Sequence, residues 1–369
     1  MRVDVLTSIV YEDDDRIVHG GAERYLAAFV PLLRDLGADV TCWQVATRPH
    51  PVREFVGAPL HTIAQERDEG ETYSTHVGLN HAFYELSARA DLRVYFASFL
   101  AWPLVRRPAL AICHGVYWDF YDHAFAYAPA DYRAEWWRRV REAFEAPDLV
   151  VAVDQNTKNV LQASYPNLAP RIRVIPNFVD PGEFYPREAP RDWERPRVLV
   201  PRRLHKVRGI NEVIRAIQDL REVDWWVCGQ AINAAAEHEF GQWAAERGNV
   251  QAFWCPAAEM PAVYQDTDLV VIPTRGGEGT SLACLEAMAT GLPIVGTNAG
   301  GLGQLLIDGY NATVVDLDHD DLAPAVAALL GDPERAARYG ERNRALAVEA
   351  FSLERWRARW EAVLRGFWR

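Results

Sequence analysis

The sequence has little that would support a metal centre, a disulfide framework or a membrane span. Its five cysteines, Cys42, Cys113, Cys228, Cys255 and Cys284, are scattered singly, without C-x-x-C or Cys/His ligand spacing. That pattern argues against structural zinc and against a disulfide-stapled secreted module. No apolar run approaches the ~20 residues that a membrane helix needs. Lysine and arginine number 39 against 51 acidic residues, a net charge of −12, so the broadly basic surface of a nucleic-acid binder is missing. Short repeats and low-complexity tracts are also missing, which excludes solenoids and disordered scaffolds. Met1-Arg2-Val3-Asp4-Val5-Leu6 reads as an immediate first strand and not as a signal peptide. The expectation is a reduced, cytoplasmic protein without nucleic-acid partners.

What is present is the composition of a globular enzyme: 369 residues, 49% hydrophobic and 24% charged. That length exceeds one ordinary core and suggests two domains. The pattern opens with a strand at Val3–Ile9, an acidic loop with Asp13, Asp14 and Asp15, and Gly20-Gly21 before a helix carrying Leu26, Phe29, Val30, Leu33 and Leu36. This is the first βαβ unit of a parallel sheet, with glycines at the turn where such folds bind ligands. The dinucleotide fingerprint G-x-G-x-x-G does not occur there. The Asp run reads as polar loop more readily than as a metal-binding D-x-D. Strands follow at Leu92–Phe96, Ala109–Cys113, Leu149–Val153 and Ile172–Ile175, the second running into His114. On the helix Asp131–Ala146, Trp136-Trp137 stand beside Arg138, Arg139 and Arg141. Two readings compete for them: peripheral contact with an anionic membrane face, or tryptophans in the core with arginines facing solvent.

Pro176, Pro181, Pro186, Pro190 and Pro196, among charged residues, mark an extended linker. Beyond it the alternation restarts, with strands at Val198–Val200, Trp225–Cys228, Val250–Phe253, Leu269–Ile272, Ile294–Gly296 and Thr313–Val315. The fold class is therefore α/β, with two doubly wound domains at 1–182 and 196–350.

The most informative stretch is Val270 to Met288. A buried strand ends at Pro273, Gly276-Gly277 turn the chain, and Thr280 or Ser281 offers an N-cap oxygen to a helix. Free amides and the positive end of the helix dipole favour a phosphate there, and Gly279 lets it approach the backbone. Glu278 precedes the helix and Glu286 lies about two turns inside it. Each can accept hydrogen bonds from hydroxyls. A phosphate between two polyols describes a nucleotide sugar, although alone a capped helix with two solvated glutamates is commoner. After the strand Val198–Val200, Arg203 and Arg208 precede the next helix, where guanidinium groups can neutralise a departing diphosphate.

The chain resembles the retaining family 4 glycosyltransferases of the GT-B architecture, two Rossmann-like domains facing a central cleft, over nearly its whole length. The resemblance rests on Gly20-Gly21-Ala22-Glu23-Arg24, Val174-Ile175-Pro176-Asn177-Phe178-Val179-Asp180, Arg203-Leu204 with Arg208-Gly209, and Glu278-Gly279-Thr280-Ser281 through Glu286-Ala287-Met288. Gly291-Leu292-Pro293, Gly300-Gly301 and Phe351-Ser352 extend it. It implies that Glu278 binds donor-sugar hydroxyls, Glu286 the ribose, and Arg203 and Arg208 the diphosphate. Gly20 and Gly21 would pack near the phosphates and His114 near the reacting sugar, as a positioning donor more than as a base. A final helix at 351–369 would cross back to the first domain.

Three motifs depart from the family pattern. Arg208 replaces a lysine, exchanging a point charge for a planar fork. Gly300-Gly301-Leu302-Gly303-Gln304 replaces G-G-x-P-E, and Phe178 replaces a hinge glycine. The implied reaction is same-face transfer from a nucleotide-diphosphate sugar to an acceptor hydroxyl, with neither metal nor cofactor. Tyr117, Trp118, Phe120, Tyr121 and Tyr127 are candidates to meet a carbohydrate or lipid-linked acceptor, and Phe253-Trp254-Cys255 to hold the base. A non-catalytic nucleotide-sugar-binding subunit and a sugar-nucleotide 2-epimerase of the same architecture are the alternatives.

Overall fold

A computed structural model of the chain describes residues 1–8, 10–11, 20–65, 72–116, 129–188, 191, 193–231 and 234–368, the side chains of 72–75 excepted. The Asp13–Asp15 run and the aromatic residues Tyr117, Trp118, Phe120, Tyr121 and Tyr127 lie outside the described residues. Those described fall into two compact units, one reaching Pro176 and including 357–368, the other running from Asn177 to Trp356.

In the first unit the strands are β1 (Arg2–Leu6), β2 (Asp39–Ala46), β3 (Arg53–Phe55), β4 (Ala58–Ala64), β5 (Leu92–Tyr95), β6 (Ala109–Cys113), β7 (Leu149–Ala152) and β8 (Ile172–Val174). They form one sheet in the order β3-β4-β2-β1-β5-β6-β7-β8. Only the pair of β3 with β4 is antiparallel among these. The crossover helices include α1 (Gly21–Asp35), α2 (Thr72–Leu86), α3 (Ala130–Glu145) and α4 (Gln155–Ser164). Asp154 caps α4 by accepting from the Thr157 amide. The hairpin β3-β4 and helix α2 have no counterpart in the sequence expectation. Short strands and the weakly periodic α2 carry little hydrophobic pattern, and the pairing of β4 with β2 decides their form.

Trp136 and Trp137 pack against the buried cluster of this sheet. Arg138 and Arg139 pair with Glu135, and Arg141 with Glu145. That packing fits the core reading of this helix. Residues 357–368 complete the unit: Trp360 is buried, packs at a tilt against Phe29 with ring centroids 4.7 Å apart and donates to the Tyr25 hydroxyl at 2.8 Å. Trp368 donates to the Leu36 carbonyl, and Arg357 pairs with Asp35. Among the described residues no helix is long and apolar enough to cross a membrane.

The second unit contains β9 (Arg197–Val200), β10 (Asp224–Cys228), β11 (Val250–Phe253), β12 (Leu269–Ile272), β13 (Ile294–Gly296) and β14 (Thr313–Val314) in the order β11-β10-β9-β12-β13-β14, all pairs parallel. Its helices include α5 (Ile210–Asp219), α6 (Ala234–Ala245), α7 (Met260–Gln265), α8 (Leu282–Ala289), α9 (Leu322–Leu330) and α10 (Pro333–Phe351). The pleat divides each strand between two cores. Val198, Val200, Leu269 and Val271 join one cluster with α5 and α9, while Leu199, Val270 and Ile272 join another with α8. Helices therefore cover both faces, which is why these strands read as continuous apolar runs.

The proline-rich segment after Pro176 has little regular structure yet is firmly anchored. Val179 and Phe184 are buried in the same core as α8, and Val179 exchanges backbone hydrogen bonds with Phe351 and Leu353. Phe178, in the position of the expected hinge glycine, packs at a tilt against Trp356 with ring centroids 4.6 Å apart. Trp356 belongs to α11 (Leu353–Leu364), a helix divided between the two units. Arg344 donates to the carbonyls of Phe184 and Ala289, tying this segment to the C-terminus of α8.

Truncating Trp360 to alanine empties a fully buried site and leaves the Tyr25 hydroxyl without this donor. Urea unfolding should show a loss of about 3–5 kcal/mol, the usual range for a core tryptophan. A change below about 1 kcal/mol would mean that residues 357–368 contribute little to the first unit.

Candidate active site

The carboxyl ends of β9 and β12 lie side by side, since Val198 pairs with Leu269 and Leu199 with Val270. Chain order reverses at this pair, with β10 and β11 on one side and β13 and β14 on the other. Crevices at such reversals are where open α/β sheets bind ligands. The loop after β9 carries Arg202, Arg203 and Arg208, and the loop after β12 carries Glu278.

Close backbone packing fixes both loops. Gly209 has φ of 77°, and a Cβ there would stand 2.0 Å from the Pro273 carbonyl oxygen, so only glycine allows the two loops to touch. The Arg275 amide donates to Val207 across the same junction. Its side chain pairs with Glu212 at 2.9 Å and Asp318 at 2.7 Å. On the other side the Gly301 amide donates to the Glu278 carbonyl at 2.9 Å. A Cβ on Gly301 would meet the Gly279 carbonyl oxygen at 2.3 Å. The Asn177 side chain donates to the Thr280 carbonyl at 2.5 Å, and Gln304 donates to the Thr280 hydroxyl at 3.0 Å. Gln304 thus occupies the place of the family's acid and keeps a polar contact with the loop.

Ser281, not Thr280, caps α8, its hydroxyl accepting from the Cys284 amide at 3.4 Å. Glu278 is 8% exposed. Its Oε2 accepts from Arg202 at 2.5 Å and from Arg208, and its Oε1 from Arg202 at 3.4 Å. Burial pushes the carboxyl pKa up, but the charges of Arg202 and Arg208 outweigh that and hold it below the usual value. Burial lowers the Arg208 pKa, against the pull of Glu278. Arg202 also donates to the Thr274 hydroxyl at 2.7 Å and the Ser281 hydroxyl at 3.3 Å.

The structure brings Glu278, Arg208 and Ser281 into one cluster, with Gly279 and Thr280 in the connecting loop. Arg203 is exposed and stands outside the contacts of Glu278. The missed residue is Arg202. Adjacent arginines at a strand end point to opposite sides, so one had to turn inward, but the spacing does not say which. Glu286 is buried in α8 and accepts from the Tyr264 hydroxyl at 2.9 Å. Tyr264, also unforeseen, comes from α7. A cavity of about 890 Å³ beside β11 is lined by Trp226, Ala244, Phe253, Ala262 and Val263; it includes Phe253 of the expected base segment and none of the Glu278 cluster.

Gly20, Gly21 and His114 belong to the first unit. Gly20 precedes α1 as its N-cap without a side-chain cap. The His114 ring lies edge-on to Tyr25, centroids 5.3 Å apart, and its Nε2 is 2.9 Å from the Phe96 carbonyl oxygen. A carbonyl can only accept, so Nε2 carries the proton and donates. The nitrogen left for a ligand is Nδ1, an acceptor in the neutral ring. Burial pushes the pKa down to about 4, partly opposed by that hydrogen bond.

An α/β chain of two Rossmann-like units, with a glycine-lined loop and an acid before a helix start, has the GT-B architecture of nucleotide-sugar-dependent glycosyltransferases. Residues 19–183 match the model described as Glycosyltransferase Family 4, and 183–346 match Glycosyl transferases group 1. The chain belongs to the family 4 glycosyltransferases. Alpha-maltose-1-phosphate synthase of Mycobacterium tuberculosis is 26% identical over 91% of this chain and 92% of its own. The Mycolicibacterium smegmatis protein of that name is 27% identical, and the match spans 58% of this chain and 61% of that protein. Among solved structures, sucrose-phosphate synthase from Thermosynechococcus elongatus has a TM-score of 0.82 at 18% identity, covering 100% of this chain and 99% of that one. Anabaena HepE in complex with UDP-glucose has a TM-score of 0.74 at 18% identity, covering 99% and 100%. Likeness at these identities shows the shared fold.

His114 gives a pH prediction. Its folded-state value of about 4 lies below the ordinary imidazole value of 6.5, so the unfolded chain binds the proton first on acidification. Its contribution is complete above pH 6.5 and is lost as pH falls toward 4. Imidazole NMR should show the Nε2–H tautomer at neutral pH and no titration near 6.5. A normal titration there would place the ring in solvent.

Proposed function

We propose that the chain is a retaining glycosyltransferase that moves a sugar from a nucleotide-diphosphate sugar to an acceptor hydroxyl without a metal ion or cofactor. The observation that carries this reading is the cluster of Glu278, Arg208 and the α8 start at the reversal point of the sheet.

The donor diphosphate sits at the amides of Gly279 to Ser281, where the helix dipole and Arg208 meet its charge. Arg208 keeps 30% of its side chain exposed and can reach a phosphate, while Arg203 approaches from solvent. The donor sugar directs hydroxyls to Glu278, whose two oxygens offer about four acceptor positions. The ribose hydroxyls meet Glu286, oriented by Tyr264. In the transfer step the C1–oxygen bond to the diphosphate breaks, and the acceptor oxygen bonds C1 from the face that the diphosphate leaves. A departing phosphate oxygen takes the acceptor proton, so the step needs no protein nucleophile. The protein positions the reactants and stabilises the leaving charge with Arg208 and the helix start. The family resemblance assigns His114 to the reacting sugar, a role in which Nδ1 is the atom it would offer to a hydroxyl. The acceptor in this reading is a carbohydrate or a lipid-linked acceptor.

A thermal-shift panel of nucleotide sugars, UDP-glucose and GDP-mannose included, identifies the donor because a ligand bound to the native state stabilises it. Transfer is then followed with and without acceptor. Glu278→Ala should lower turnover about a hundredfold and leave nucleoside-diphosphate affinity within about threefold. Equal losses in both would remove Glu278 from the sugar. Excess chelator should leave turnover unchanged, and a strict need for a divalent ion would overturn the metal-free step. Binding without turnover would identify a non-catalytic subunit, and sugar interconversion without acceptor an epimerase.

A further inference from the structure

Arg202 is a residue for which the family resemblance supplies no role, and it makes more contacts in the cluster than Arg208. Its side chain is 9% exposed. One terminal nitrogen donates to Thr274 at 2.7 Å and to Glu278 Oε2 at 2.5 Å; the other donates to Ser281 at 3.3 Å and Glu278 Oε1 at 3.4 Å. The guanidinium therefore spans the end of β12, the acid and the helix cap. A planar fork bonded to both carboxylate oxygens sets the rotation of the carboxylate as well as its place. The backbone of Arg202 is itself fixed, since a Cβ on Gly229 would stand 2.2 Å from its carbonyl oxygen.

Resting on the transferase reading above, we propose that Arg202 is a positioning residue that holds the Glu278 carboxylate ionised and oriented so that its remaining acceptor sites receive the donor sugar. Arg208 cannot replace it. Arg208 meets only Oε2, so it leaves the carboxylate free to turn, and it is also the cation that the diphosphate engages. The groups facing Glu278 are Arg202 and Arg208 from the loop after β9, and Ser281 and Cys284 from α8. Arg203 adds its charge at Arg208.

Two readouts test this, and only one needs activity. In urea unfolding, Arg202→Met, Glu278→Gln and the double variant form a cycle. The proposal expects the effects of the two single changes to be strongly non-additive, and additivity would reject the pairing whatever reaction the protein performs. In kinetics with the identified donor, Arg202→Met should lower kcat by about tenfold or more while nucleoside-diphosphate affinity stays within about threefold. The acid limb of the kcat/KM profile should move up by about one pH unit as Glu278 loses a neighbouring charge. Arg202→Lys keeps the charge and loses the fork, so it should restore the acid limb but not kcat. A folded Arg202→Met enzyme with unchanged kcat and acid limb overturns the proposal. Equal loss of kcat and diphosphate affinity would make Arg202 a phosphate ligand and overturn it as well. If Arg202→Met does not fold, the lysine variant decides: wild-type kcat would reject the need for a bidentate contact. A strongly non-additive cycle in a protein without turnover on any nucleotide sugar would instead locate the failure in the transferase reading.

Discussion

The second unit is arranged around a buried carboxylate that must stay charged. Glu278 is buried in the loop after a fully buried strand, where an unpaired anion would be very costly. Arg202 and Arg208 supply the compensating charge, and both come from the loop after the adjacent strand. Much of the surrounding geometry serves that meeting. Gly209 lets the two loops touch, Gly300 and Gly301 admit the Glu278–Thr280 backbone, and Arg275 fastens the far end to Glu212 and Asp318.

Buried ion pairs of this kind add little net stability compared with an apolar replacement, but breaking one leaves a stranded charge. The cluster is better understood as a specificity device. It leaves two cations beside one anion, the charge balance that the diphosphate site proposed above would use. Arg208, partly exposed and with its pKa lowered by burial, is the member that gains most from a phosphate partner. The Glu286–Tyr264 contact is of another kind, a neutral donor orienting a carboxylate inside an otherwise apolar helix.

Much of the fold was legible because parallel strands between two helical layers leave long apolar runs with sharp ends. Val250–Phe253, Leu269–Ile272 and Ile294–Gly296 have the limits that their patterns suggest. The hairpin at Arg53–Ala64 was not legible, since its form is set by pairing with β2 and not by local pattern. At the site, Glu278, Glu286 and the helix cap stand out by spacing along one segment. Arg202 does not, because its role depends on which of two adjacent arginines turns inward at a strand end. Tyr264 was invisible for the related reason that it reaches Glu286 from another element.

The adjacency of β9 and β12 has a consequence for assembly. Arg202 and Glu278 are 76 residues apart in the chain and meet only because their strands pair in the middle of the sheet, with two further strands on each side. Contacts of such separation are made late and together with the rest of a nonlocal topology. No partly folded second unit lacking that central pairing can hold the three charges in place. Its charge cluster therefore arises cooperatively, as a property of the completed sheet and not of any segment within it.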